Sequence, residues 1–386
     1  MNIDELVRGA RPEPGWARSN GGRRVLDNVI TAAQADSASG STAWDRPATR
    51  RLALRWSLVG TGLVGAAAAV ALVAPAILAG PDAPADGPPP AGALPGTTGN
   101  TTGGTTTVGA HDILLAAATR AEQAPAETGR YWHVKTMNVF GAVRLGTEPN
   151  AYWMVRRSVE ESWDAGAQQE PSWNGRREAG VRPRAEADEK AWRTAGSPTT
   201  WTLDADGAKD LVLSTRPGAG ELSKDTQPPR YLEDVGPLSL AQVRQLPEDQ
   251  KALRDWVTSR IHQRMGFAPG SADSDRLTFS LLGRMLLDTP AAPKVRAAAF
   301  RILADLPGVR GLGTVRDESG RSGQGVEFTS EVYAERLIID TATHLILADK
   351  VSSGPKGKAA PSKQSSTLVL TAEWSDAAPQ LPSVPQ

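Results

Sequence analysis

The chain contains no cysteine among its 386 residues, so disulfide bonds, thiol catalysis and thiolate metal sites are all excluded. Histidine is scarce, with four residues, and none of them stands at a metal-ligand spacing such as HExxH. The 43 basic side chains balance 43 acidic ones. There is no basic patch interleaved with aromatic residues and no nucleic-acid-binding motif, so we expect no nucleic-acid partner.

The usual catalytic motifs are also missing. The sequence has no G-x-S-x-G elbow, and the stretch 354–358 (GPKGK) lacks both the spacing of a phosphate loop and a following helix. Asp204 and Asp206 resemble the start of a calcium loop, but the third acidic position and the closing glutamate are absent. The sequence therefore predicts no catalytic residue, no metal site and no cofactor, and the protein is not expected to be an enzyme.

One long stretch carries no charge at all, residues 56–81. As a helix, residues 56–80 would extend about 37 Å, against a hydrocarbon core of about 30 Å. Basic and aromatic residues flank its start: Arg50, Arg51, Arg55 and Trp56. We therefore predict a transmembrane helix at residues 52–80 in the lipid bilayer. By the positive-inside rule the N-terminus is cytoplasmic and the C-terminal part extracytoplasmic, as in a single-pass cell-membrane protein.

A cleaved signal peptide is the competing interpretation of this stretch. Ala74-Pro75-Ala76 imitates a cleavage site, but the apolar run is longer than a signal peptide needs and the preceding head is long. The segment 49–55 (TRRLALR) also resembles a twin-arginine export motif. Whether the span is ever cleaved is left open, as is the oligomeric state.

The rest of the chain divides by composition. Residues 1–51 form a basic cytoplasmic head with too few apolar residues for a core of its own; we expect it to be largely disordered or to fold on a cytoplasmic protein partner. Residues 81–106 form a Pro/Gly/Thr-rich stalk. Residues 107–377 form the extracytoplasmic domain, and residues 378–386 are a tail.

Within the outer domain, helical and strand patterns come in blocks. Period-2 alternation predicts strands at 131–139 and 151–163, and apolar residues at helical spacing predict helices at 253–261, 271–287 and 293–303. Further strands are expected at 311–316, 325–329, 336–340, 345–351 and 367–374. The stretch 172–202 is interpreted as long connections with short edge strands. Such blocks are typical of an α+β domain with an antiparallel sheet.

Three tryptophans stand in polar surroundings: Trp173, Trp192 and Trp201. Most tryptophans of such a domain belong to the core of the sheet, where large aromatics pack well. These three are the candidates for a groove that binds an apolar or carbohydrate ligand.

Several segments of the chain, including 246–254 with its Leu246-Pro247 and Leu253-Arg254, resemble two known families. The stretch 287–309, from Leu-Asp-Thr-Pro to Leu-Pro-Gly-Val, and the head motif Asp-Glu-Leu-Val-Arg at 4–8 resemble a family of uncharacterised actinobacterial single-pass membrane proteins, often found near extracytoplasmic-function sigma factors. This resemblance suggests envelope sensing. The segment 335–345 is similar to the strand–turn–strand of LolA- and RseB-like envelope proteins, which implies a curved antiparallel sheet wrapped on helices.

The resulting expectation is an α+β protein with one transmembrane helix, an extracytoplasmic curved antiparallel sheet packed on helices, and a disordered head and stalk. Its expected function is non-enzymatic: the outer domain binds an envelope lipid or protein ligand for sensing or regulation. A LolA-like carrier of lipids or lipoproteins, without signalling, is the alternative.

Overall fold

The computed structural model describes residues 109–167, 170–203, 211–354 and 363–385. All of them belong to one of the two compact units into which the chain divides; the other unit, residues 41–105, lies outside the described residues, as do the predicted head and stalk.

The helices of this unit begin and end at residue types that commonly cap helices. Helix α5 starts after Ser271, whose side chain accepts a hydrogen bond from the Ser274 amide, and α4 ends at Gly266, whose φ of 77° suits glycine. A proline occupies the first turn of α6. The described helices are α1 (Ala110–Gln123), α2 (Glu186–Thr194), α3 (Leu240–Val243), α4 (Gln250–Met265), α5 (Ala272–Asp288) and α6 (Pro293–Ala304).

The strands form a nine-stranded antiparallel sheet and a separate two-stranded ribbon. The order in the large sheet is β6-β3-β2-β1-β11-β10-β9-β8-β7, and β4 pairs with β5 in the ribbon. The strands are β1 (Tyr131–Leu145), β2 (Tyr152–Ala165), β3 (Ser172–Pro183), β4 (Thr200–Leu203), β5 (Leu211–Ser214), β6 (Gly220–Asp225), β7 (Val309–Arg316), β8 (Ser322–Thr329), β9 (Tyr333–Asp340), β10 (Leu345–Ser353) and β11 (Gln364–Ser375).

The sheet buries apolar side chains on both faces. On one face, strand residues such as Val134, Phe328 and Leu337 pack with the helices in the largest core. The opposite face, here called the concave face, carries an apolar row that crosses five neighbouring strands in register. Its members are Val159, Met137, Leu368, Ala348 and Ile338. Burial on both faces explains why β9 carries three consecutive buried apolar residues, Leu337, Ile338 and Ile339.

The sheet curls strongly towards the concave face. Strand β3 is second from one edge, whereas β7 and β8 form the other edge. Nevertheless Nη2 of Arg182, on β3, donates to the carbonyl oxygen of Glu318 in the β7–β8 turn at 2.9 Å. In a flat sheet, β3 and β8 would lie about 29 Å apart, six strand spacings. The curl therefore brings the two ends of the sheet together over the concave face.

The expected fold class needs correction. Among the residues that the structure describes, no helix is long and apolar enough to cross a membrane. The longest of these, α5, has 17 residues. It therefore extends only about 26 Å, short of the hydrocarbon core. What the structure shows instead is a large antiparallel sheet with few helices. The span predicted at 52–80 lies outside the described residues.

The prediction for the stretch 172–202 is also wrong. This stretch contains the 12-residue strand β3 and the helix α2 rather than long connections with short edge strands. Strand β3 pairs with both β2 and β6. It is stabilised by backbone hydrogen bonds to these two strands, and its own arginine-rich sequence does not predict that pairing.

Candidate functional site

A cavity of about 110 Å³ opens at one end of the concave face. Its floor includes Val139 and Val155, and charged side chains from three parts of the chain stand around it: Arg182 and Arg184 at the end of β3, Glu318 in the β7–β8 turn, and Lys350 on β10. Because β3 and β10 are four positions apart in the strand order, the curl of the sheet is what assembles this pocket.

Two neighbouring arginines have no carboxylate partner within the described part of the chain. Arg182 donates to the Glu318 carbonyl, and Arg157 donates to the carbonyls of Ala179 and Gly180 at 3.0 and 3.4 Å. Burial lowers the pKa of Arg157 from its ordinary value, and the like charge of Arg182 lowers it further. The guanidinium groups are thus held by backbone carbonyls, which leaves their positive charge uncompensated.

The one carboxylate among the cavity-lining residues is shared. Glu318 accepts a hydrogen bond from Nζ of Lys350 at 3.0 Å through one oxygen and from Oγ of Ser366 at 2.9 Å through the other. It therefore neutralises Lys350 and is itself held in place over β10 and β11. Arg184 lies 3.7 Å from Asp188 on α2, so it too has an acidic neighbour. After this pairing, Arg182 and the adjacent Arg157 remain as the surplus of positive charge.

Next to the cavity, three basic residues and one acidic residue form a row across four strands of the sheet. Arg310, Glu327, Arg336 and Lys350 are cross-strand neighbours on β7 to β10. Glu327 is buried and accepts hydrogen bonds from both flanking arginines, with Oε2 3.1 Å from Nε of Arg336. Burial raises the pKa of Glu327, but the hydrogen bonds and charges of the two arginines outweigh it and keep the pKa below its usual range.

This arrangement is suited to holding a negatively charged group. An apolar floor and partly desolvated guanidinium groups strengthen the attraction for a carboxylate or phosphate relative to bulk water.

The structure places the three predicted groove tryptophans in two separate clusters. Trp192, on α2, and Trp201, on β4, pack around Leu213, and Nε1 of Trp192 donates to the carbonyl of Pro198 at 2.9 Å. Trp173 packs with Trp163 near the opposite end of β3. Trp173 lies eight residues from Val181, a member of the first cluster. This spacing corresponds to about 26 Å along the strand, so the three do not line one groove.

The other predicted positions fall as follows. Arg50, Arg51, Arg55 and Trp56 lie outside the described residues. Within the described ranges, no group of three or more His, Asp or Glu residues could hold a metal ion.

Sequence reasoning missed Arg182, Lys350 and Glu318. The alternating arginines at 182 and 184 are a visible signal, because such spacing places both side chains on the same face of an extended chain. Their convergence with a turn about 135 residues later depends on the order and curl of the strands, for which the local pattern holds no signal.

No protein-family model, curated protein or solved structure matches the chain. The site is therefore interpreted from its own geometry.

Proposed function

We propose that residues 109–385 form a non-enzymatic ligand-binding domain that holds the anionic group of a small ligand in the pocket between Arg182 and Lys350. The observation that carries the proposal is the pair Arg157 and Arg182. Both guanidinium groups are half-buried and held by backbone carbonyls, Arg182 in the lining of the cavity and Arg157 beside Arg182, and neither has a carboxylate partner among the described residues. A bound anion would compensate the charge of such partly desolvated cations.

The size of the cavity separates this proposal from the lipid-carrier alternative. Pockets that enclose drug-sized ligands measure about 300–1,000 Å³. The cavity here, at about 110 Å³, is smaller than that range. It therefore suits a carboxylate, a phosphate or a comparable headgroup better than an acyl chain. A role in sensing, and a location at the cell envelope, stay predictions from the sequence.

The proposal is tested by titrating the purified full chain, kept in a mild detergent because of its uncharged run, with inorganic phosphate and with acetate. At constant ionic strength, isothermal titration calorimetry should show binding with a dissociation constant of about 1 mM or below. Arg182→Gln should weaken it about tenfold or more, because it removes a charge-assisted contact from a half-buried guanidinium group.

Arg264→Gln is the matched control, since Arg264 is an exposed arginine on the last turn of α4. It should leave the affinity unchanged. Saturable binding that is equally strong in the Arg182 and Arg264 variants would place the anion elsewhere. The absence of any saturable heat for either anion would overturn the proposal.

A further inference from the structure

The C-terminal segment lies against the concave face at the end away from the cavity. The amide of Arg130 donates to Oδ1 of Asp376 at 2.9 Å, just after β11 ends. Further along, Nη1 of Arg177 donates to the carbonyl of Pro382 at 3.0 Å, and Nζ of Lys135 donates to Oγ of Ser383 at 2.9 Å. Residues 376–385 are thereby tied to β1 and β3.

Gly175 leaves the space in which this segment packs against β3. It lies inside β3, in register with Glu161 on one side and Leu222 on the other. A Cβ atom at this position would stand 2.6 Å from Cγ and 2.9 Å from Cδ of Pro382, closer than such atoms can approach. Glycine within a strand normally weakens it and often marks the close approach of a ligand or another backbone. Here the approaching group is the Pro382 ring.

The segment itself has a regular proline spacing. Pro379, Pro382 and Pro385 recur every third residue, which matches the three residues per turn of a polyproline II helix. Prolines at this spacing point the same way in that conformation. Pro382 is buried, whereas the neighbouring Leu381 is 57% exposed. Val384 packs against the apolar cluster of the concave face and Pro385 is exposed, so among the three prolines it is Pro382 that makes the buried contact.

The surroundings are aromatic and basic. Glu161 accepts a hydrogen bond from Nε2 of His133 at 2.8 Å, and Nζ of Lys135 lies 3.3 Å from its second oxygen. The His133 ring stacks on Trp163, with 5.0 Å between centroids and 7° between planes. The ion pair with Glu161 thus positions Lys135 to donate its hydrogen bond to Ser383. Proline-rich segments are recognised by grooves that combine aromatic side chains with donors to the peptide carbonyls.

We propose that this groove, defined by Lys135, Gly175 and Arg177, is a binding site for an extended peptide that places a proline ring over Gly175. In the free protein the chain's own residues 379–385 fill it. A partner protein carrying a segment of this kind competes with them. This inference is independent of the anion pocket.

The chain's own residues 379–385 determine how tightly a partner peptide must bind in order to displace them. A tethered segment competes at an effective concentration of about 1 mM. The intact chain should therefore bind a free peptide much more weakly than a chain that ends at Ser375.

The first test uses a fluorescent peptide with the sequence of residues 376–386 and measures its anisotropy. It should bind the chain ending at Ser375 at least about tenfold more tightly than the intact chain. In that shortened chain, Gly175→Val should abolish binding while the melting temperature stays equal or rises, because valine favours strands and the Pro382 ring is gone. The matched control is a peptide of the same composition in scrambled order, which should not bind. Equal binding to both chains, or full binding to the Gly175→Val variant, would overturn the proposal.

The second test keeps the intact chain. Carboxypeptidase digestion of the C-terminus should accelerate when the unlabelled peptide is added at about 1 mM or more, since displacement frees the tail. The scrambled peptide should leave the rate unchanged. A digestion rate that does not respond to the native peptide would count against a competitive groove.

Discussion

The guanidinium of Arg182 donates to the carbonyl oxygen of Glu318 at 2.9 Å, and this single bond joins the two ends of a nine-stranded sheet. Arg182 lies at the C-terminal end of strand β3, which is second from one edge of the sheet. Glu318 lies in the turn between β7 and β8, at the other edge. The same contact aligns the Arg182 charge with the cavity. The residues that bring the two ends of the sheet together, Arg182 and Glu318, therefore also line the pocket.

Removing this contact should loosen the closure without unfolding the sheet. In Arg182→Ala, amide hydrogens of residues 317–321 should exchange faster than in the native chain, because the turn loses its tie to β3. Global stability should fall by about 1 kcal/mol, the contribution of a hydrogen bond from a charged donor that keeps some solvent contact. Hydrogen–deuterium exchange with peptide resolution measures the first effect, and urea denaturation measures the second. Unchanged exchange in this turn would contradict the role given to Arg182.

Arg321 should matter more for stability than its position on a surface turn suggests. It donates to the carbonyls of Val369 at 2.7 Å and Leu347 at 2.8 Å, next to irregularities in the strand pairing that free those carbonyls from the ladder. Asp317, whose side chain is fully buried, orients it through Nε at 2.7 Å.

Arg321→Ala leaves two strand carbonyls without this donor and removes the ion pair from Asp317, which keeps its hydrogen bonds from Ser319 and from the backbone amide of residue 321. The expected loss is about 3 kcal/mol in the free energy of unfolding. Urea denaturation of the full chain measures it, with Arg264→Ala as the control expected to stay within about 0.5 kcal/mol. A loss no larger than that of the control would show that the three contacts contribute little.

Glu327 should make the fold sensitive to acid. Its pKa lies below the ordinary value, so its ionised form is favoured in the folded chain. The stability it contributes is fully present above the unfolded pKa of about 4.3 and is lost as the pH falls through the lower folded value. Glu327→Gln should therefore destabilise the protein at pH 7 by about 1–2 kcal/mol and much less at pH 3. Thermal melts at both pH values test this, and an equal loss at both would refute the linkage.

Asp164 should make the folded protein less stable as the pH rises, which is the opposite of the effect of Glu327. Burial raises its pKa from 3.8 to about 7; the Tyr231 hydroxyl lowers it, and Asp288 and Asp225 raise it further. A raised folded pKa means that the folded chain binds the proton more tightly, so stability falls as the pH rises from about 4 to about 7.

Asp164→Asn removes this titration. It should stabilise the protein by about 2 kcal/mol at pH 8 and leave it nearly unchanged at pH 4; the full shift would give more, but the side chain keeps some exposure. Chemical denaturation at the two pH values provides the comparison. Destabilisation at pH 8 would contradict the assigned shift.

Local patterns predict the elements whose signals are local. The helices expected at 271–287 and 293–303 agree with the structure within about two residues, because a serine cap, an apolar stripe and a proline at the first turn mark them. The strands expected after residue 308 overlap those of the structure, because turn residues at 317–320 and 340–343 separate them. Strand β3 is not, because its stability comes from pairing with β2 and β6, while its own sequence, SWNGRREAGVRP, lacks alternation.

The sequence by itself determined that thiol chemistry is excluded, that the net charge is zero, and the approximate positions of helices α4 to α6 and of strands β7 to β11. Only the tertiary structure decided which strands are neighbours, how far the sheet curls, and therefore that Arg182, Glu318 and Lys350 share one pocket while Trp173 lies far from Trp192. The physical reason is that composition and periodicity act over a few residues, whereas strand order and curl depend on packing between segments more than about 100 residues apart.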